Sequence, residues 1–261
     1  MNRLNKLFEN KDKNILSIFF TAGYPTLEST VPIIEALEKG GIDLVEIGIP
    51  FSDPMADGPV IQASSSKSLN NGMTLKKLLS QVSEAREKVK EMPFVLMGYL
   101  NPVMKYGVEK FFKDAQHAGV DALIIPDLPF DDYMAEYKEL SRKYDIPVIM
   151  LITLETSEER IHLIDDNCDG FIYMVSSAST TGAKDRYSEE QLEYFHRINE
   201  MPLKHLRLIG FGISNPSTFS QACFNSSGAI IGSHFIKCLD RNGGEPEKAV
   251  KDLLKSIGKT H

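Results

Sequence analysis

Short apolar runs alternate with longer amphipathic stretches from one end of the chain to the other, and that rhythm limits the fold more than any single motif does. The runs are Ile15–Phe20, Leu44–Ile49, Phe94–Gly98, Ala122–Ile125, Val148–Ile152, Phe171–Val175, Leu206–Ile209 and Ala229–Ile231. Each reads as a continuous apolar segment, as expected for a strand covered on both faces. Between them lie stretches with helical spacing. The stretch from Thr26 to Lys39 carries Val31, Ile34 and Leu37 and stops at Gly40-Gly41, and that from Thr74 to Lys90 carries Leu75, Leu78, Leu79 and Val82. Further helices are expected over Gly107–Ala118, Asp131–Lys143 and Glu245–Ile257. Thr156 with Glu159, and Ser188 with Gln191, have capping-box spacing. Asn215-Pro216 offers an N-cap followed by proline at the first helical position.

Eight strand–helix units predict a parallel sheet in which every crossover is helical. The length of 261 residues is close to the roughly 250 of an eight-fold β/α barrel. The expected fold is α/β, a (β/α)8 TIM barrel, one domain over residues 1–261. A short N-terminal amphipathic helix carrying Leu4, Leu7 and Phe8 precedes it. An open doubly wound sheet is the alternative. It would show fewer strands and a glycine fingerprint at the first strand–helix turn, where this chain has TAGYP.

The net charge is -7, with no basic run, which argues against nucleic acid and anionic membrane as partners. No apolar run approaches the roughly 20 residues of a membrane span. The polar N-terminus lacks a signal-peptide core. Cys168, Cys223 and Cys238 are odd in number and form no CxxC pair. They read as reduced, buried, inert thiols of a cytoplasmic protein, with a reactive thiol as the alternative.

In such a barrel the site lies at the C-terminal ends of the strands. The segment DLVEIGIPFSDPMADGP, Asp43–Pro59, puts Glu46 inside an apolar strand and Asp53 and Asp57 on the following loop. A carboxylate in an apolar strand is costly unless it has a partner or a task. Pro50, Pro54 and Pro59 restrict the loop backbone, so its acids can be held in place. Glu46 and Asp57, in unlike environments, can divide acid and base roles. The competing reading makes Glu46 a structural acid and Asp57 and Asp53 turn-formers.

Late in the chain, Gly182, Gly210, Gly212, Gly232 and Ser233 lie at or just beyond strand ends. The last pair opens the short apolar segment His234–Leu239, and backbone N–H groups at such a start suit a phosphate. Tight turns are the alternative use of these glycines. The loop Ser176–Arg186 is rich in small polar residues and is read as a lid or as an idle solvent loop. No lysine stands at a strand end, which argues against a Schiff-base aldolase. No His-x-His or His/Asp cluster stands there either, which argues against a metal site. His117, His162, His196 and His205 read as surface or packing residues. Acid–base chemistry on a small phosphate ester, without metal or cofactor, is what remains.

VEIGIPFSDPMADGP, with FFTAGYP, MGYLNP, IIPDLP, TGAKDR, GFGIS and IIGSHF, resembles the tryptophan synthase alpha subunit family over essentially the whole chain. The resemblance implies a carbon–carbon lyase that cleaves indole-3-glycerol phosphate to indole and glyceraldehyde 3-phosphate, in the last step of L-tryptophan biosynthesis. It implies Glu46 as the acid–base group and Asp57 as the acid that bonds the indole N–H. Tyr173 corresponds to a tyrosine supporting the glutamate, and Tyr99 to a position near the indole, with Phe19 and Met97 as apolar walls. Gly182, Phe211, Gly212, Gly232 and Ser233 correspond to phosphate-holding positions, and Thr181 to a lid threonine that meets the Asp57 loop. No cofactor is implied for this chain, because pyridoxal phosphate belongs to a partner beta subunit in an alpha2beta2 heterotetramer that receives the indole. Asp53–Gly58, the lid near Thr181, Tyr99–Pro102 and Asp127–Phe130 are implied to face that partner. The chain departs from some relatives at Ser177, where they carry arginine. Three other readings stay open: a stand-alone indole-releasing lyase, a non-catalytic barrel that binds a phosphate ester, and an isomerase or synthase barrel of a neighbouring step.

Overall fold

The computed structural model describes residues 2–176 and 186–259. Eight parallel strands close on themselves in sequence order, with β1 paired to both β2 and β8. They are β1 (Ile15–Thr21), β2 (Leu44–Gly48), β3 (Phe94–Met97), β4 (Ala122–Ile124), β5 (Val148–Ile152), β6 (Phe171–Val175), β7 (Leu206–Gly210) and β8 (Gly228–Ile231). Helices α1 (Arg3–Asn10) and α2 (Thr30–Lys39) flank β1. After β2 come α3 (Pro59–Asn70) and α4 (Leu75–Lys88), and after β3 come α5 (Leu100–Tyr106) and α6 (Val108–Ala118). Helix α7 (Phe130–Asp132) runs through a π turn, Tyr133–Tyr137, into α8 (Lys138–Tyr144). The remainder are α9 (Glu158–Asn167), α10 (Glu189–Glu200), α11 (Pro216–Asn225), α12 (Ser233–Arg241) and α13 (Pro246–Ser256). The barrel expected from the strand–helix rhythm is therefore the one observed.

Strand parity divides the apolar residues into two bodies. Leu16, Ile18, Phe20, Val45, Ile47 and Leu96 point outward and pack under the helices. Ile15, Leu44, Val95, Ile124, Ile149, Phe171, Tyr173, Leu208 and Ile230 point inward and fill the barrel. Helix α1 closes the lower end of that filling. Leu4 is fully buried in it, and Phe8 meets Phe171 edge to face at 5.9 Å. The N-cap Asn2 accepts from Leu4 N and donates to the carbonyls of Asp121 and Asp145. Asp121, buried just before β4, accepts from Arg86 Nη2 at 2.9 Å, Arg3 Nη1 at 3.1 Å and Phe94 N at 2.9 Å. The guanidinium of Arg86 also lies 3.5 Å from the Phe94 ring centre. A buried charge is tolerable when it is paired and hydrogen-bonded on this scale.

Several local expectations need correction. Helix α3 follows the loop after β2, and its serine-rich sequence PVIQASSSKSLN gives little helical amphipathicity. Its small residues allow close packing instead. Ser64, Ser65 and Ser68 are buried, Ser64 shares a hydrogen bond of 2.6 Å with Thr21, and Ser68 donates to the Ala22 carbonyl. Helix α5 was likewise not foreseen. The helix over 131–143 is interrupted by the π turn. Ser157, not Thr156, caps α9 by accepting from Arg160 N, while Thr156 Oγ1 accepts from Thr153 N at 2.9 Å in the preceding turn. The Ser188–Gln191 box and the Asn215-Pro216 start form as expected. All three cysteines are buried, and burial pushes the thiols of Cys168, Cys223 and Cys238 up to about 12, 11 and 12. Inert thiols are thereby supported over a reactive one. Among the described residues, no helix is long and apolar enough to cross a membrane.

Candidate active site

Glu46 occupies an inward position of β2, opposite Phe19 on β1 and Val95 on β3. It is 0% exposed. One oxygen, Oε1, accepts from the Ser17 hydroxyl at 2.7 Å, and the other, Oε2, has no hydrogen-bond partner. Burial raises its pKa from 4.5 to about 7, against the opposing effect of the Ser17 bond. At neutral pH such a group can both give and take a proton.

Asp57 hangs on the loop that leaves β2. The turn is closed by Asp57 N donating to the Pro54 carbonyl at 3.1 Å. Its Oδ2 accepts from the Tyr99 hydroxyl at 2.9 Å, and that same hydroxyl accepts from Ala56 N at 3.0 Å. Burial raises the Asp57 pKa and the Tyr99 bond lowers it, with burial the stronger effect. Asp53 turns instead to its neighbour Ser52.

Both acids line one cavity at the C-terminal mouth of the barrel, with Phe19, Met97 and Tyr173 around them. Tyr173 is buried on β6, and its pKa is held well above the ordinary 10.0 by burial and by the nearby Glu46 and Asp57. A Cβ on Gly210 would collide with the Tyr173 ring and hydroxyl, which accounts for glycine at the end of β7. Tyr99 does not line the cavity. Its hydroxyl serves the Asp57 loop instead, bonding both Asp57 and the Ala56 amide.

Phe211, Gly212, Gly232 and Ser233 line the same cavity. Phe211 and Gly212 both take positive φ, 73° and 75°. Left-handed backbone is unusual for a bulky side chain, and it concentrates at functional sites. The Ser176 hydroxyl steadies this turn by donating to the Phe211 carbonyl at 3.0 Å. Gly232 is the N-cap of α12, and the first-turn N–H groups that follow it have no carbonyl within the helix to meet. His234, half-buried, bonds Ser256 Oγ at 2.7 Å, and burial followed by Arg241 lowers its pKa. Thr181, Gly182, Ser177 and most of the expected lid lie outside the described residues.

Val60, Ile61, Tyr187 and Ile213 complete the walls, together with Arg186 and Lys237. Apart from Arg186, the end of the expected lid, none of these was singled out from the sequence. Nor was Ser17, whose only signal is a hydroxyl at an inward position of an otherwise apolar strand. Among the described residues, no group of three or more His, Cys, Asp or Glu could hold a metal ion. His205 pairs with Asp165 at 3.0 Å, His117 bonds the Lys113 carbonyl, and His162 and His196 are exposed on helices.

The model of the tryptophan synthase alpha chain family matches residues 5–261. The chain belongs to the tryptophan synthase alpha chain family. The alpha chain of Phocaeicola vulgatus is 55% identical over 257 residues, covering 98% of this chain and 99% of that one. That of Parabacteroides distasonis is 55% identical with the same coverage. Among solved structures, tryptophan synthase subunit alpha from Legionella pneumophila superposes with a TM-score of 0.88 at 33% identity, covering 98% of this chain and 97% of that one. The alpha chains of this family cleave indole-3-glycerol phosphate, are cofactor-free, and work with a beta subunit that holds pyridoxal phosphate in an alpha2beta2 complex.

Proposed function

We propose that Glu46 and Asp57 carry out the lyase reaction of the tryptophan synthase alpha chain in this protein, as a divided acid–base pair. The observation that carries the reading is Glu46: its Oε2 is buried and unpartnered, and the residue lines the cavity that Asp57 also lines. The side-chain carbon–carbon bond of indole-3-glycerol phosphate cannot break while the ring is aromatic, because its electrons have no sink. Protonation of the ring carbon that bears the side chain makes an indolenine, which accepts them. Glu46 in its acid form delivers that proton, and as the carboxylate it then takes the proton of the side-chain hydroxyl. Asp57 stays anionic, bonds the ring N–H and stabilises the positive charge that develops there. Tyr173 stays a neutral phenol beside Glu46, and Phe19 and Met97 enclose the ring.

The phosphate end falls to Phe211, Gly212, Gly232 and Ser233. The strained turn at 211–212 and the open first turn of α12 support this assignment through their backbone donors. Gly182 and Thr181 join the phosphate and lid roles on the strength of the family pattern. The loop Asp53–Gly58 and the segments 99–102 and 127–130 are assigned to the face that meets the beta subunit. Met55, 83% exposed, and Met104, 59% exposed, are apolar side chains at or beside these segments. On this reading residues 1–261 act as one domain, and the protein works in the cytoplasm.

The test is Glu46→Gln. Indole release should fall by about 10²–10⁴-fold, while binding of glycerol 3-phosphate is retained. A Gln variant that cleaves at the wild-type rate would remove Glu46 from the mechanism.

A further inference from the structure

We propose that Ser17 is a positioning residue for Glu46: its hydroxyl holds one carboxylate oxygen so that the proton to be transferred resides on the other. The inference rests on the acid–base reading of Glu46 given above. Ser17 and Glu46 are both 0% exposed, and Ser17 Oγ donates to Oε1 at 2.7 Å. Ser17 pairs with Leu44 across the β1–β2 ladder, so Glu46 is its diagonal neighbour, two residues further along β2. Both side chains point into the barrel, where diagonal neighbours of this kind can meet.

A protonated carboxyl has one carbonyl oxygen and one hydroxyl oxygen. A donor fixed on Oε1 makes Oε1 the carbonyl oxygen and leaves the proton to Oε2. Oε2 is the atom with no partner of its own. Without Ser17 the two oxygens become interchangeable, and half of the acid form would carry its proton on Oε1. The same bond stabilises the carboxylate once the proton has left, opposing the effect of burial. Ser17 keeps its own proton throughout. The proton transferred passes from Glu46 Oε2 to the ring carbon.

The groups around Glu46 come from several neighbouring elements. Tyr173 on β6 and Asp57 on the β2 loop are the titratable ones. Phe19 on β1, Val95 and Met97 on β3, and Ile230 on β8 are apolar. Arg186, Tyr187, His234 and Lys237 also line the cavity. Among these neighbours, Ser17 alone donates a hydrogen bond to the Glu46 carboxyl.

The experiment compares the pH dependence of kcat/KM for indole release by the wild type and by Ser17→Ala, each in complex with a beta subunit. The alkaline limb reports loss of the Glu46 proton, and the acid limb reports protonation of Asp57. Removal of the hydroxyl should move the alkaline limb upward by on the order of one pH unit, leave the acid limb in place, and lower kcat several-fold on the plateau. An alkaline limb that coincides with the wild type overturns the proposal. If Ser17→Ala does not accumulate, Ser17→Cys, close in size and a weaker donor, is subject to the same expectation. A 13C carboxyl titration of Glu46 in the unliganded protein gives the shift independently of turnover. Glu46→Gln separates the two levels. If that variant is inactive and the Ser17→Ala limb is unmoved, only the role of Ser17 fails. If Glu46→Gln is active, the catalytic reading fails first.

Discussion

The Tyr99 hydroxyl holds Asp57 and the Ala56 backbone at once, as donor to the first and acceptor from the second. Loss of that oxygen leaves a carboxylate and an amide to find new partners in a half-buried loop. We expect Tyr99→Phe to cost about 1–2 kcal/mol of stability and to lower kcat more than it raises KM, because the loop would hold Asp57 less firmly. Steady-state kinetics alongside a urea melt checks this, and a pure KM effect would return Tyr99 to the substrate wall. Asp57→Asn should be severely impaired, since the amide cannot neutralise the ring nitrogen, and wild-type indole release would make Asp57 only a turn residue. These positions show the limits of reading at the residue scale. Glu46 and Asp57 were legible because acids are conspicuous in an apolar strand and on a proline-bound loop. The role of Tyr99 was not, because it depends on a bond to a residue 42 positions away. Ser17 was hidden for the same reason, with a partner 29 positions away.

At the scale of elements, helices with a wide apolar stripe could be read from the sequence, and the strands could be read to within about a residue at each end. Helix α3 was missed because it packs through serines. Its inner face is made of small hydroxyls against Thr21 and Ala22, and no periodicity of large apolar residues marks it. Helix α1 was legible as amphipathic, but its task was not. It plugs the bottom of the barrel, far from the cavity at the mouth that Glu46 and Asp57 both line. Leu4→Ala should therefore destabilise the fold by about 2–5 kcal/mol while leaving kcat per folded molecule unchanged. Denaturant unfolding and active-site-normalised kinetics test the two halves separately. A loss of kcat at full folding would tie α1 to the mouth. Asp121, which gathers Arg3, Arg86 and the Phe94 amide beneath the barrel, belongs to the same closure. Its replacement by Asn would leave the buried Arg86 guanidinium and the partly exposed Arg3 guanidinium short of a counter-charge.

For the molecule as a whole, the proposed catalytic acid is also a stability liability with a definite pH signature. Glu46 titrates at about 7 in the folded chain and near 4.5 when exposed. The folded state therefore binds more protons than the unfolded state between these values, so its stability falls as pH rises through that window. This is the reverse of a salt-bridged carboxylate, whose contribution is lost on acidification. From pH 5 to pH 8 the loss attributable to Glu46 is about 2 kcal/mol. Other groups contribute their own slopes. Asp57 shifts in the same sense, while Asp165 and Asp252 are held below the ordinary carboxylate value and shift in the opposite one. The slope of the wild type alone therefore does not isolate Glu46, but a difference does. Glu46→Gln cannot titrate, and every other group is shared. The stability of Glu46→Gln relative to wild type should rise by about 2 kcal/mol between pH 5 and pH 8, read from urea midpoints at the two pH values. At the upper pH, the variant that has lost the lyase activity should be favoured over its relative standing at the lower. A difference independent of pH would mean that Glu46 ionises as an ordinary glutamate, and its role as a proton donor at neutral pH would go with it.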